Sequence, residues 1–575
     1  VDLFEYEQGI HTAGKVFDDW RQENPDLFPP PIGKANYGER GITWEKEGHF
    51  DYFDKNSSAT SISAELGIRM NGESSRRFPR KSFRLSAKNL YGSEALIYPF
   101  FPNHFTQRFE RLILHNSGGD ERFANMRNAA VQRMAYPTNA TTSSYQPHYL
   151  FLNGEFYGLN ILKERFDENY FQIRYGILPE NLNLIIGLDD IAAGNSGRYL
   201  ALNNLCLNGF LPDLSLEQFD GWVDVESYAD VYIVNMITSN ADMFPKNTLW
   251  WRDNSPGASD NSFYSVLIDQ DRTLGMRVNG ALKSPSYNMV SHFLEETTEL
   301  ITPYLTCFIE VMKTDEFRRY FINRTGDVLN SYFKIDRTVG IVEDMREAYL
   351  PHYEEQIERW SGDDNMQSVD EWMSEVDTII DFLEKRPDLH RKHISEFFET
   401  DGTYRLSLDV SDEEQGYIHI NTIDVIAETE GINAPVYPWK GTYFKNVSID
   451  LKALPNPGYI FSHWEGDITE TSIEVNSTFD ADSVYIKAVF IPNPNLETDH
   501  VGVYPNPFNG SFFIANESEN LKRYTIYDSL GKKIIESRPT QNETIEVRFE
   551  GQAGVYILEA EYADGKRKQA KLVKY

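Results

Sequence analysis

Near Thr400 the long helical periodicities of the chain give way to short strands, and that change limits the folds open to it. Before it, apolar residues recur three and four apart, as in Met345, Tyr349, Tyr353, Ile357 and Trp360, then Val376, Ile379, Ile380 and Leu383, the spacing of amphipathic helices. After it, segments rich in Thr, Val, Ile and Tyr are broken by Pro455-Asn-Pro-Gly and Glu465-Gly-Asp, which is how short strands and turns are written. Single cores stop growing near ~250–300 residues, so a chain of 575 residues is read as several domains. The expected division is an extension at 1–60 packed on the next unit, an α+β domain at 61–400, a small β module at 401–492 and an all-β sandwich at 493–575. The Pro/Asn run from Ile491 to Leu496 serves as the last linker.

Within the α+β part, Ala64-Glu-Leu-Gly-Ile-Arg-Met and Lys81-Ser-Phe-Arg-Leu-Ser alternate as two strands around the polar turn Asn71–Arg76. Asn153-Gly154 sits between two further alternating runs and is the strongest short hairpin signal in the chain. Helical spacing is read over 123–136, with Asp120 and Glu121 favourable ahead of its start, and over 225–237. Pro387 is expected to start a new helix or turn.

The chemistry concentrates after that last helix. Asp242 and Asn247 stand five positions apart, and an apolar run then ends in Asp269 and Asp271. Phosphoryl transfer uses one carboxylate to accept the proton of an attacking hydroxyl, and an Asn with an Asp to hold metal ions against phosphates. Alternation along a strand would put Asp269 and Asp271 on one face, where two bare carboxylates repel unless a cation sits between them. The plain alternative for Asp242 and Asn247 is an Asx-capped turn.

Composition excludes some functions. The net charge of −33 repels phosphate polyanions, so nucleic acid is not an expected partner. No run of ~18 apolar residues is long enough for a spanning helix. The start at Val1 carries no signal-peptide pattern, so a leader is expected to have been removed ahead of it. Cys206 and Cys307 permit one disulfide and form no metal motif. HExxH, Walker and GxSxG patterns do not occur, and no acid pair for glycan chemistry stands out.

Several motifs together resemble the CotH kinase family. They are Gly67-Ile-Arg-Met-Asn-Gly-Glu-Ser-Ser-Arg with Phe78-Pro-Arg-Lys-Ser-Phe-Arg-Leu, Asp120 followed by Met126-Arg-Asn, and Leu152-Asn-Gly-Glu-Phe-Tyr-Gly-Leu with Glu164. The 240–247 segment, Asp269-Gln-Asp and Arg386-Pro387 complete the set. The resemblance implies an atypical protein-kinase-like α+β domain followed by two small all-β domains, and ATP-dependent phosphorylation of Ser or Thr in a secreted or surface protein. It implies Asp242 as the base and Lys81 as the lysine on the α/β-phosphates. Asn247, Asp269 and Asp271 would be ligands of Mg²⁺, with Ca²⁺ or Mn²⁺ as alternatives. Arg69, Ser74, Ser75 and Arg76 would cover the phosphates, and Glu164 would lie near an adenine hinge. Kinases pair the strand Lys with a helix-borne Glu, yet 123–136 contains no acidic residue, so the partner of Lys81 stays unassigned. Arg80 would replace Lys81 if the register differed by one. Arg69, Arg76 and Arg127 suit either phosphate or ordinary ion pairs. His115 and His148 are read as packing residues, and His390 and His393 as one face of a surface helix.

Val503-Tyr-Pro-Asn-Pro-Phe, Gly554-Val-Tyr-Ile-Leu and Lys571-Leu-Val-Lys resemble the type IX secretion sorting domain of Bacteroidetes. This implies passage through that machinery to the outer surface or beyond. The 457–490 text resembles β-repeat modules of bacterial surface proteins. A rival reading is a catalytically inactive surface binding or structural protein that keeps the fold as a scaffold, with Ca²⁺ at the carboxylates; the scarcity of ATP outside cells supports it.

Overall fold

The computed structural model describes residues 3–27, 29–54, 59–101, 106–187, 190–208, 214–258, 261–278, 281–282, 284–295, 303–362, 366–493, 501–515, 521–528, 532–539, 544–549, 551–563 and 567–575. Phe28, residues 494–496 of the expected linker, Gly531 and the Asp564-Gly565 turn lie outside them. Two compact units result: 1–413 with 417–454 and 463–488, and 414–416 with 455–462 and 489–575.

The first unit begins with strands β1 (Lys46–Tyr52), β2 (Ile62–Asn71) and β3 (Ser82–Ser86). The short pair β4 (Leu96–Ile97) and β5 (Arg108–Phe109) comes next, then β6 (Arg111–His115), β7 (Tyr145–Leu152) and β8 (Glu155–Glu164). Six of these form one antiparallel sheet in the order β1-β2-β3-β6-β8-β7. Alternation assigns its faces. Leu66, Met70, Phe83, Leu85, Leu112, Leu114 and Leu162 point one way and pack with Leu3, Ile10, Ala35 and Tyr37 of the amino-terminal segment. The β7–β8 hairpin turns at Asn153 and Gly154, both at positive φ (53° and 83°), as a tight hairpin requires.

A second sheet, β10-β9-β11-β12, comprises β9 (Leu182–Ile186), β10 (Asp190–Ala193), β11 (Leu249–Asp253) and β12 (Tyr264–Val266). Beside it runs the helix Val225–Thr238, in which every residue except Glu226 is buried. A helix apolar on all sides belongs at the centre of a core, and its Tyr228, Tyr232 and Ile233 lie in the main cluster with Trp250, Phe308 and Trp372. Cys206 and Cys307 are joined, with Cα atoms 4.8 Å apart, so the helices Gly197–Leu207 and Pro303–Val311 are covalently linked.

Two expectations change. The helix Val369–Phe398 continues through Pro387 instead of restarting there. Arg386 and Pro387 are both buried, and packing on both sides of the break outweighs one missing N–H. His390 and His393 are likewise buried rather than on a surface face. The strands Thr403–Val410 and Trp439–Phe444 lie in the same compact unit as the helices. Asp327, fully buried on the helix Asp315–Asn330, accepts hydrogen bonds from the Thr422 amide (3.0 Å) and hydroxyl (2.6 Å), Asn421 Nδ2 (3.1 Å) and the Tyr443 hydroxyl (2.7 Å).

The second unit has a three-stranded sheet of Val503–Tyr504, Ser511–Ile514 and Ile545–Arg548. Its four-stranded sheet is Lys533–Ser537, Leu521–Asp528, Gly554–Tyr562 and Arg567–Lys574, and the core between them contains Phe508, Phe512, Ile526, Phe549 and Leu558.

Candidate active site

The central helix ends at Ser239, whose positive φ of 58° turns the chain out of the helix. A buried polar knot fixes the loop beyond it. Asn240 Nδ2 donates to Asn235 Oδ1 (2.8 Å) and to the Asp269 carbonyl (3.3 Å), Gln270 Nε2 donates to Asn235 Oδ1 (2.9 Å), and Asn240 Oδ1 accepts the Asp242 amide (3.1 Å). Asn247 then closes the loop by donating to the Asp242 carbonyl (2.7 Å) and, more weakly, to its carboxylate (3.4 Å). The helix end thus carries both the Asp242 loop and the 269–271 turn.

Asp269 and Asp271 come together differently from the expectation. β12 ends at Val266, and Asp269 has a left-handed φ of 50°, so a turn rather than strand alternation juxtaposes them. Asp271 is buried, and its Oδ2 accepts the Gly119 amide (2.5 Å). Gly118 (φ 60°) lies so close that a Cβ there would meet Asp271 Oδ2 at 2.2 Å. Burial first, and then the Asp269 charge, push the Asp271 carboxyl up to about 8. Crowding by protein also raises Asp269, although one side of it remains open to solvent, and the Asp242 carboxylate raises it further; Lys163 and Arg272 oppose this. Arg272 Nη1 stands 3.4 Å from Asp242 Oδ1.

These donors fit a hard divalent cation. Oxygen ligands suit Mg²⁺ and Ca²⁺, a cation would relieve the repulsion that raises both carboxyls, and the Asp269 carboxylate has no hydrogen bond or ion pair among the described residues. Among those residues, no group of three His, Cys, Asp or Glu side chains is already gathered to hold a metal.

Most of the residues expected on the phosphates are tied into the small sheet itself. Lys81 turns away with Phe83 toward the amino-terminal segment, where Nζ donates to the Arg76 carbonyl (2.6 Å) and lies 4.1 Å from the Tyr37 ring centre. Burial lowers it to about 8, partly offset by Glu121. Arg80 is buried on the opposite face, donating to the carbonyls of Leu159 and Asn116. The lysine that faces Asp269 and Asp271 is Lys163 on β8. Arg76 donates to the carbonyls of Tyr37, Gly38, Glu39, Met70 and Gly72, which makes it a brace for the turn. Ser74 and Ser75 lie in the 3-10 turn Ser74–Arg77. Arg69 pairs with Glu45 (2.7 Å), and Glu164 is occupied by the Ser144 amide (2.8 Å) and Arg174 (2.7 Å). Arg127 pairs with the buried Asp120. Sequence reading missed Lys163, Gly118, Asn240 and Gln270. Gly118-Gly119 was the one available signal, a glycine pair in a polar loop.

Residues 502–575 match the secretion system C-terminal sorting domain, and residues 422–494 the divergent InlB B-repeat domain. The sorting domain assigns the chain to type IX export, to the cell surface or outside. Among the described residues no helix is long and apolar enough to cross a membrane. None of the curated proteins matches. Among solved structures, the Bacillus anthracis TIE protein is similar at 10% identity over 30% of this chain and 33% of its own length, with a TM-score of 0.11. The Bacillus cereus major pilin subunit BcpA is similar at 10% identity over 30% of this chain and 68% of its own, with a TM-score of 0.10. Neither likeness is close enough to carry an argument. Residues 68–197 and 213–389 match the CotH kinase protein family. Those stretches make up more than half of the chain and include the whole site built above, so the chain belongs to the CotH family.

Proposed function

We propose that this exported CotH protein is a kinase of atypical two-lobed fold that transfers the γ-phosphoryl group of ATP to a Ser or Thr hydroxyl of a surface or extracellular protein. The observation that supports it best is the assembly of Asp242, Asn247, Asp269 and Asp271 around one polar knot. Asp242, partly exposed and held by Asn247 and Arg272, accepts the proton of the acceptor hydroxyl. The hydroxyl oxygen bonds to the γ-phosphorus, the bond from that phosphorus to the β-bridging oxygen breaks, and ADP departs with the electron pair. Asp269, Asp271 and Asn247 would hold Mg²⁺, which when bound neutralises phosphate charge. Fixed groups of this kind act mainly by positioning and electrostatics.

The test is radiolabel transfer from γ-labelled ATP to the protein or to surface extracts. Asp242→Ala is expected to lower the rate by at least ~10²-fold while ATP-dependent stabilisation persists; labelling at the wild-type rate would refute the role. A second reading, a cation-binding scaffold without catalysis, is favoured by Lys81 being committed to Arg76 and Tyr37. Thermal-shift titration separates the two, because a ligand specific to the native state raises apparent stability. Stabilisation by Ca²⁺ alone, with none from ATP and Mg²⁺, selects the scaffold.

A further inference from the structure

The face of the six-stranded sheet opposite its apolar core is unusually basic for a chain with a net charge of −33. Register places its members. Arg69 on β2 is directly opposite Arg84 on β3, Arg84 is opposite Ile113 on β6, and Ile113 is opposite Lys163 on β8. Arg69, Arg84, Ile113 and Lys163 therefore form one row across four strands. Arg111 stands two residues before Ile113 on the same face, and Arg165 directly follows β8 and adds its charge to that of Arg84.

The acidic partners do not cover this row. Glu45 is shared by Arg69 (2.7 Å) and Lys88 (2.5 Å), and Asp167 by Arg111 (2.9 Å) and Arg165 (3.0 Å). Among the described residues, neither the Arg84 nor the Lys163 side chain makes a hydrogen bond or an ion pair, and Arg84 Nε is buried without a partner. Burial, reinforced by Arg165, Arg69 and Arg111, pushes the Arg84 guanidinium down to about 10. Half-buried cations of one sign, held close without partners, cost stability, and perturbed groups of this kind mark ligand sites. Lys163 forms the end of the row that faces Asp269 and Asp271.

We infer that this sheet face is an oligophosphate-binding subsite in which Arg84 and Lys163 make the principal contacts and Arg69, Arg111 and Arg165 form the rim. Strands are about 4.8 Å apart, so Arg84 and Lys163 stand two strands, or roughly 10 Å, from each other. That spacing suits an anion with charge spread along its length better than a monovalent ion. Arginine forks and a lysine point charge are the side chains that take phosphate oxygens. A nucleic acid, by contrast, would have to approach across an acidic surface. The identification of this oligophosphate with the triphosphate of ATP rests on the kinase reading above; the anion site itself does not.

The probe is inorganic tripolyphosphate in EDTA, which removes any metal bridge to the carboxylates. Titration calorimetry compares the wild-type chain with Arg84→Met, Lys163→Met, the double variant and Lys81→Met, each checked for native near-UV circular dichroism, with Arg84→Gln replacing any Arg84→Met protein that fails the check. Saturable binding by the wild type, weakened at least tenfold in the double variant and within twofold of wild type in Lys81→Met, is the expected result. No binding by the wild type, a folded double variant that binds as wild type, or a loss confined to Lys81→Met would overturn the proposal. Tripolyphosphate binding without phosphoryl transfer from ATP would refute the kinase reading and leave the subsite standing.

Discussion

Replacing Asp271 by Asn should stabilise the metal-free protein at alkaline pH and have little effect at acid pH. The Asp271 carboxyl lies at about 8 in the folded chain against an ordinary 3.8. Between those values the folded state keeps a proton that the unfolded state has released. Stability therefore falls as pH rises from about 4 to about 8, because it declines wherever the native state binds more protons. At ~1.4 kcal/mol per unit, four units set a ceiling of roughly 5–6 kcal/mol. The cost is shared with Asp269, also raised and first affected by burial, so a single substitution should recover about 1–3 kcal/mol at pH 8.5 and close to nothing at pH 4.5. Asn keeps an oxygen for the Gly119 amide and nearly the same volume, so little else changes. Urea unfolding followed by tryptophan fluorescence is a suitable assay, since all nine tryptophans lie in the first compact unit and the sorting domain is silent. Added Mg²⁺ at pH 8.5 should stabilise wild type more than Asp271→Asn. Parallel pH profiles for the two proteins, or a variant less stable at pH 8.5, would refute the account of the acidic turn.

Gly118→Ala places a Cβ at 2.2 Å from Asp271 Oδ2 on a backbone with φ 60°. It should cost ~1–2 kcal/mol and weaken Mg²⁺ binding measured by calorimetry, whereas Gly154→Ala, at a turn with open space, should leave Mg²⁺ binding unchanged. Asp327→Ala leaves two hydroxyls, an amide N–H and an Asn amide without their acceptor. The expected loss is ~3 kcal/mol in the fluorescence-detected transition, with proteolysis between the helices and the 403–444 strands as a second readout.

The features legible in the sequence were local. The Asn153-Gly154 hairpin depends on two residues that tolerate positive φ, and the strands of the sorting domain depend on alternation within short runs. The helix over 225–237 was legible for the same reason, and the structure extends it by one residue to Thr238. Other placements are decided by distant parts of the chain. Lys81 and Lys163 are both lysines in alternating segments, and only the order β3-β6-β8 and the face covered by Tyr37 show which one meets the acidic turn. Asp269 and Asp271 were expected on a strand because Leu267 and Ile268 continue its apolar text, but Asp269 has a positive φ and its carbonyl accepts from Asn240, while Gln270 donates to Asn235. The bonds that tie Thr422, Asn421 and Tyr443 to Asp327 could not be read in advance, because Asp327 lies in another stretch of chain.

The disulfide between Cys206 and Cys307 closes a ring with a sequence separation of 101, and Asp242, Asn247, Asp269 and Asp271 all lie within that ring. Thiols stay reduced in the compartment where the chain is made and pair in oxidising surroundings, so closure comes after export. Inside the cell, where ATP is plentiful, the segment bearing the carboxylates lacks its covalent clamp; outside, where the clamp is set, ATP is scarce. The order of these two events leaves the segment that bears Asp242, Asp269 and Asp271 without its covalent clamp until the chain has been exported.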